Sequence, residues 1–314
     1  MTNTGKTIRG FILATLSVIG FASTFVAGGV LTKELNISPA VLSMLRFAIA
    51  GGAMLIVGLL SKPLRRQLFS IPKSEWLRML WIGPIGTSLM AWCVFLGCER
   101  VSSANASMAD ALTPLGIFLI GAAISRHVTL LQVIGVILGF TGALFVIQVL
   151  TPAGLAIDAY GIGDFFILAA AVTWGAYSVF GREDIKKFGS YAFSTWTMLI
   201  GSLLFLIFLL IGEGLSFADI AEIEIVWPTT VKGWSLVAFL GLFCTLLPFW
   251  TWNAAQNDLP LSVLAMTAYF TPVVAVLLAY IFTDESASLW QWLGSILICF
   301  SAVVESGRSH KGEE

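Results

Sequence analysis

The sequence predicts an all-α polytopic membrane protein whose ten transmembrane helices form two inverted five-helix repeats. Three observations carry this expectation. Of 314 residues, 58% are apolar and only 11% charged, with a mean hydropathy of +0.92, whereas a soluble domain carries about a quarter charged residues. Apolar runs of about 20 residues, enough to cross ~30 Å of hydrocarbon, recur from end to end. Finally, the second half of the chain repeats the first. No stretch between the runs is long enough for a separate soluble domain. Helix is the only secondary structure that fits, because a lone strand leaves its backbone unpaired in lipid, and the short alternating segments of a membrane barrel are absent.

Taken in order, the expected spans lie at residues 10–31, 39–60, 77–98, 103–124, 130–149, 163–181, 191–211, 233–253, 261–282 and 289–306. The first follows Lys6 and Arg9 as a signal peptide would, but the run from Phe11 to Leu31 is longer than a secretory apolar core, so it reads as a retained span. With the N-terminus inside, Lys6, Arg9, Lys62, Arg65, Arg66, Lys73, Arg78, Arg126, Arg182, Lys186, Lys187, Arg308 and Lys311 collect on the inner side. Only Lys33, Arg100 and Lys232 fall outside. This positive-inside bias puts both termini in the cytoplasm and the protein in the plasma (inner) membrane. Trp76, Trp227, Trp234 and Trp290, near span ends, read as interfacial anchors. Cys93, Cys98, Cys244 and Cys299 lie in or at the ends of apolar runs, and His127 and His310 lie in a loop and the tail. No disulfide framework, metal site, cofactor or nucleic-acid partner is expected.

A shift of 158 residues aligns Gly83 with Gly241, Thr87 with Thr245, Trp92 with Trp250, Met108 with Met266, and Thr113-Pro114 with Thr271-Pro272. A shift of 155 aligns Phe11-Ile12-Leu13-Ala14 with Phe166-Ile167-Leu168-Ala169, and Gly20, Ser23 and Phe25 with Gly175, Ser178 and Phe180. The units are residues 1–150 and 151–314. An odd number of spans per unit inserts the two copies in opposite directions. Charge follows the inversion, since Arg126 on the inner side aligns with Asp284 on the outer, and the outer loop after span seven carries Glu213, Asp219, Glu222 and Glu224.

Several motifs then stand in a fixed order. They are Met44-Leu45-Arg46-Phe47 in span two, Leu112-Thr113-Pro114 in span four, Gly163-Asp164 opening span six with Trp174-Gly175-Ala176-Tyr177 inside it, and Tyr269-Phe270-Thr271-Pro272-Val273 in span nine. Together with the repeat, they resemble the drug/metabolite transporter superfamily and its EamA-like members over essentially the whole chain. The resemblance implies a secondary transporter that exports amino acids or related small amphipathic metabolites by alternating access. Multidrug or cationic-drug efflux is the alternative. It also implies a central cavity lined by spans one, three, four, six, eight and nine, with a proton or ion gradient as driving partner.

Arg46 and Asp110 are the charged residues well inside spans, each eight residues, ~12 Å of helix, from the outer end of its own span. An isolated charge there is costly, so they read as an intramembrane ion pair, or Asp110 meets substrate or proton. Ser103, Ser107, Asp110 and Pro114 share one face of span four, opposite apolar repeat mates in span nine; packing of small residues is the competing reading of the serines. Trp174, Tyr177 and Ser178 on span six, Met266 and Tyr269 on span nine, and Thr87, Trp92, Thr245 and Trp250 on spans three and eight are the further substrate-binding candidates. Thr24 on span one joins them only through the resemblance. Pro114 and Pro272 are expected to kink their helices and shape the cavity. The glycines Gly135, Gly139 and Gly142 of span five suit packing against another span or a homodimer contact, leaving monomer and dimer open.

No catalytic residues are expected. Gly161-Ile162-Gly163-Asp164 spells the GxGD string of intramembrane aspartyl proteases, but the Tyr-Asp partner motif is absent, and Asp164 reads as a helix-start acid. No HExxH, Gly-x-Ser-x-Gly or phosphate-binding loop is present either. A channel or a non-transporting receptor is the remaining class. Orientation is directly testable: cysteines introduced at Lys62 and Lys187 are expected to be shielded from an impermeant thiol reagent in intact cells, and one at Glu222 to react. The opposite labelling pattern would invert the topology.

Overall fold

Where water is excluded, each backbone donor must find its acceptor within its own segment, and the apolar runs accordingly fold as helices. A computed structural model describes residues 3–101, 106, 116–118, 120, 123, 130–146, 150–151, 154–155, 162–212, 216–217, 221–222, 225–282 and 288–306. Helix α1 (Asn3–Gly29) runs on through a π-helical turn at Val30–Glu34, and α2 (Pro39–Leu60) is followed by the short α3 (Lys62–Leu68). The third apolar run is α4 (Trp76–Pro84), a π turn at Ile85–Leu89 that is the first of a matched pair of mid-run π turns, and α5 (Met90–Arg100). Next come α6 (Leu130–Val146), α7 (Ile162–Phe188) and α8 (Ser190–Gly212). The eighth run repeats the third as α9 (Val231–Gly241), a π turn at Leu242–Leu246, and α10 (Leu247–Ala255). Helices α11 (Leu261–Thr267), α12 (Phe270–Phe282) and α13 (Leu289–Ser306) complete the bundle. Two-residue strands pair as hairpins at Leu150–Thr151 with Gly154–Leu155, and at Ser216–Phe217 with Ala221–Glu222.

Six of the described helical stretches are long and apolar enough to cross a membrane. Most of the expected span at 103–124 lies outside the described residues, as do Arg126, Asp284, Glu213, Asp219 and Glu224. The observed helices outrun the apolar cores: α7 continues to Phe188 because Arg182, Glu183, Asp184, Lys186 and Lys187 extend it past the apolar stretch. Starts follow capping chemistry. Ser38 accepts from the Val41 amide at 3.4 Å with Pro39 as the first helical residue, and Thr230 accepts from the Gly233 amide at 3.0 Å. Gly189 turns α7 into α8 with φ of 84°, a conformation that a side chain at that position would resist.

The packing partners come in matched sets. Helix α1 lies on α10 and the second π turn, α7 lies on α5 and the first π turn, α2 packs on α8, and α6 on α13. Close contact depends on missing side chains, as expected where van der Waals packing holds membrane helices together. A Cβ on Gly86, in the first π turn, would sit 2.0 Å from Cδ2 of Tyr177, and one on Gly139 would sit 2.3 Å from Cζ of Tyr269. The notch at Gly139 in span five is thus filled from within the same chain. Gly175 brings α7 against the backbone of span four, where an added Cβ would lie 3.1 Å from the Gly116 carbonyl carbon.

Gly86→Val should therefore expel the Tyr177 ring and lower stability by ~1–3 kcal/mol or more. Gly52→Ala, at a glycine with no neighbour within 4 Å of an added Cβ, should leave stability unchanged. Thermal unfolding of the detergent-solubilised protein, followed by size exclusion, compares the two.

Candidate functional site

Deep in the bundle α1, α7, α8 and α10 converge on a cluster of rings. Trp174 stacks on Tyr177 with centroids 5.2 Å apart, and lies 4.9 Å from Phe249, 5.3 Å from Phe21 and 5.7 Å from Trp252. Phe47 extends the cluster edge-on to Phe249 at 5.1 Å, and Phe193 meets Tyr177 at 5.3 Å. One side of this cluster is polar. The Asn253 Nδ2 group donates to the Tyr177 hydroxyl at 2.9 Å and to Ser194 Oγ at 2.8 Å, and Asn253 Oδ1 accepts from Gln256 Nε2 at 3.2 Å. The Tyr177 and Thr197 hydroxyls lie 3.4 Å apart, and those of Ser17 and Thr251 lie 2.7 Å apart. Trp252 Nε1, Gln256 Oε1 and Ser178 Oγ are buried with no hydrogen-bond partner among the described residues. Rings that offer π faces, beside an unused donor and an unused acceptor, can hold an amphipathic solute by its apolar or cationic part and by its polar end.

A second focus lies around Arg46. Its Nε donates to Thr245 Oγ1 at 2.8 Å and its Nη2 to the Cys244 carbonyl at 3.4 Å, while the guanidinium sits 5.0 Å from the Phe47 ring centroid and 5.4 Å from that of Phe95. Thr24 Oγ1 donates to the same Cys244 carbonyl at 3.0 Å. The π turn at Leu242–Leu246 makes this possible, since it takes carbonyls out of α-helical register; Thr245 itself donates back to Leu240 O at 2.7 Å, five residues earlier. Asp110 lies outside the described residues, so the structure describes no Arg46–Asp110 pairing.

The other expected residues are spread over several places. Trp174, Tyr177 and Ser178 enter the ring cluster or adjoin it, and Thr24 and Thr245 join at Arg46. Thr87 is buried in the first π turn, bonded to Gly83 O at 2.7 Å and packed on Gly201. Met266 and Tyr269 are buried, with the Tyr269 hydroxyl 3.5 Å from Val136 O of α6. Two tryptophans point elsewhere: Trp92 packs edge-on to Phe205 and Phe208 of α8 and lines a cavity of about 290 Å³ with Thr32, Asn36 and Arg100, and Trp250 is 40% exposed beside Tyr191. Ser103, Ser107, Asp110 and Pro114 lie outside the described residues. Pro272 is the third residue of α12, just after a break at Ala268 and Tyr269 where amides bond three residues back. Among the described residues no group of three acidic, histidine or cysteine side chains is placed to hold a metal.

Sequence reasoning passed over Asn253, Gln256, Ser194, Phe21, Phe249 and Trp252. The available signal was the pair of amides three residues apart, one turn of helix, at the end of an apolar run.

The profile of the EamA-like transporter family matches residues 8–148 and 161–306. The chain is similar to the uncharacterized transporter YyaM of Bacillus subtilis, 25% identical over 275 residues, covering 86% of this chain and 85% of that protein. It is similar also to the uncharacterized transporter YdfC of Bacillus subtilis, 24% identical over 314 residues, covering 94% and 92%. The uncharacterized inner membrane transporter YicL of Salmonella typhimurium is 23% identical over 308 residues, 96% of each chain. A solved crystal structure shares the fold with a TM-score of 0.73 at 20% identity, over 99% of this chain and 98% of the other.

Asn253→Ala should remove three interhelical or inter-turn contacts at once. At about 0.6 kcal/mol for a typical membrane hydrogen bond, a loss near 2 kcal/mol is expected in thermal unfolding. Combining it with Gln256→Ala should cost less than the sum of the two, because the second change removes a group the first has already stranded.

Proposed function

The chain belongs to the EamA-like transporter family, and from that premise we propose that it is a secondary carrier exporting a small amphipathic metabolite, an amino acid or related compound, by alternating access. It is an integral membrane protein, and a transporter's partners are a small-molecule solute and the lipid bilayer. The observation that carries the finer reading is the cluster of Trp174, Tyr177, Phe249 and Trp252 beside Asn253 and Gln256, which offers ring faces and unused polar atoms together. Residues 1–150 and 151–314 are the two rocking bodies in this reading, and the ring cluster is built from both, with Phe21 and Phe47 from one and Trp174 and Phe249 from the other. Tyr177 and Trp252 are 1% exposed, so a solute reaches them only when one end of the bundle parts. In this reading Asp110, which lies outside the described residues, serves as the partner of Arg46 or as a proton or substrate group. Thr24 and Thr245 order the helices around Arg46.

A secondary carrier needs no nucleotide. In proteoliposomes, screening amino acids, related amphipathic metabolites and cationic drugs with and without a proton gradient should give saturable uptake of an amino-acid-like solute without ATP. Flux that never saturates would establish a channel, a requirement for ATP would refute the carrier, and preference for cationic drugs would shift the substrate class to drug efflux.

A further inference from the structure

Helix α1 turns one face away from the bundle. Ile12, Leu16 and Ile19 on that face are exposed, and Ser23, Val26 and Val30 continue the same stripe at helical spacing. Thr24 and Gly28, on the other face, meet the Cys244 carbonyl and the Phe95 ring. Along the last part of the outward stripe runs a groove of about 350 Å³, lined by Ser23, Val26 and Val30 of α1, Leu236 and Phe239 of α9, and Leu278 of α12. All of these but Ser23 are apolar, and the Ser23 hydroxyl is spent on the Ile19 carbonyl at 2.8 Å. The groove therefore faces lipid and offers no hydrogen bond.

Both helices that wall the groove carry a charge just beyond it. On α9, Lys232, Leu236 and Phe239 are four and three residues apart, so Lys232 stands one turn past the groove on the same face. On α1 the π turn at Val30–Glu34 sets Glu34 nearly a turn past Val30. The two charges meet there: Lys232 Nζ lies 3.8 Å from Glu34 Oε2, too far for a hydrogen bond, and both side chains are more than half exposed. Neither side chain has another ion-pair or hydrogen-bond partner among the described residues. Lys33 is engaged elsewhere, with Nζ on the Val101 carbonyl. From Glu34 to Ser23 the chain descends eleven residues, roughly 16 Å of helix, which is about half of a ~30 Å hydrocarbon core and so the depth of one leaflet. We propose that the groove is a site for one phospholipid whose headgroup carries both a phosphate and a protonated amine. An acyl chain lies along Val30, Val26 and Ser23, the phosphate meets Lys232, and the amine meets Glu34. An acyl chain is the apolar ligand that a bilayer supplies to a lipid-facing groove, and the charge pair above it selects the headgroup. A cation and an anion side by side, each with bonding capacity left, suit a zwitterion; a purely anionic headgroup would be repelled by Glu34. The positive-inside pattern makes this the outer leaflet. The site goes beyond the carrier reading and does not depend on it.

The test uses the full-length chain in detergent, stripped of co-purified lipid and titrated in native mass spectrometry. The probes are phosphatidylethanolamine, phosphatidylcholine and phosphatidylglycerol with matched acyl chains. The unaltered chain should hold one phosphatidylethanolamine about fivefold more tightly than phosphatidylglycerol, the fold-change to which an exposed ion pair corresponds. Phosphatidylcholine, whose methylated amine cannot donate a hydrogen bond, should fall between them. Glu34→Gln should remove the preference, and Lys232→Gln should widen it, because the phosphate of phosphatidylglycerol then faces the carboxylate alone. Both positions are exposed, so these variants keep the packing of the bundle. Ser23→Phe should fill the groove and weaken all three lipids alike; where it reduces folded yield, Val26→Phe on the same face tests the same point. Equal retention of the three headgroups by the unaltered chain, or a preference that neither charge variant moves, would overturn the site. So would tight phosphatidylethanolamine binding that survives the groove-filling variants, since the lipid would then sit elsewhere on the surface. Lipid retention is read without transport, so failure of the carrier reading in proteoliposomes would leave these outcomes as they stand.

Discussion

A guanidinium in the middle of a helical bundle cannot be left to water that is not there, and the protein around Arg46 is arranged to replace that water. Placing such a charge at the centre of a membrane helix costs a few kcal/mol even by the mildest scales. Here the Thr245 hydroxyl, the Cys244 carbonyl and the faces of Phe47 and Phe95 surround it. The hydroxyl and carbonyl come from one π turn, which also accepts the Thr24 hydroxyl from α1. A local departure from α-helical register thus binds α1, α2 and the eighth apolar run at one point. Without the π turn, the carbonyls of that run would bond along their own helix.

Elsewhere the same requirement is met by fit. The first π turn carries Thr87, which fills the space above Gly201 of α8, as Thr245 of the second meets Arg46 of α2. Gly86 in that turn admits Tyr177, and Tyr177 then reaches Asn253 across the bundle. Lipid tails are as apolar as the side chains they would displace, so helices gain little from burying leucine alone and depend on such notches and interhelical bonds. Polar and aromatic side chains such as Asn253, Tyr177 and Trp252 are in consequence found fully enclosed.

This explains which features the sequence made legible. The positions of the six described helices that can cross a membrane follow from composition, and helix starts from residues such as Ser38 and Thr230. Facing directions do not, because a helix apolar all round shows no stripe. Trp174 and Trp250 look alike in the sequence, yet one stacks in the ring cluster and the other is exposed beside Tyr191. The described partners of Arg46 were hidden for a different reason. Matching charge to charge proposes Asp110, whereas a hydroxyl, a carbonyl and two rings carry no formal charge. Asn253 and Gln256 fall at the end of an apolar run, although an amide pair one turn apart there is itself a cue.

The energetics divide the molecule into parts that can separate and parts that cannot. The Arg9–Asp258 pair lies between a surface pair, worth about 1 kcal/mol or less, and a buried one, because Arg9 is half exposed whereas Asp258 is 2% exposed and needs water to reach it when the pair opens. Stranding a buried charge costs ~3–5 kcal/mol, because nothing replaces the lost partner. In the proposed rocking motion the node of Arg46, Thr245, Cys244 and Thr24 therefore stays together, while the helix ends part where opening lets water in. That node joins residues from both halves at mid-depth, between the two mouths. A contact that no water can replace at the middle, flanked by contacts at the ends that water reaches as they open, is the distribution a pivot requires.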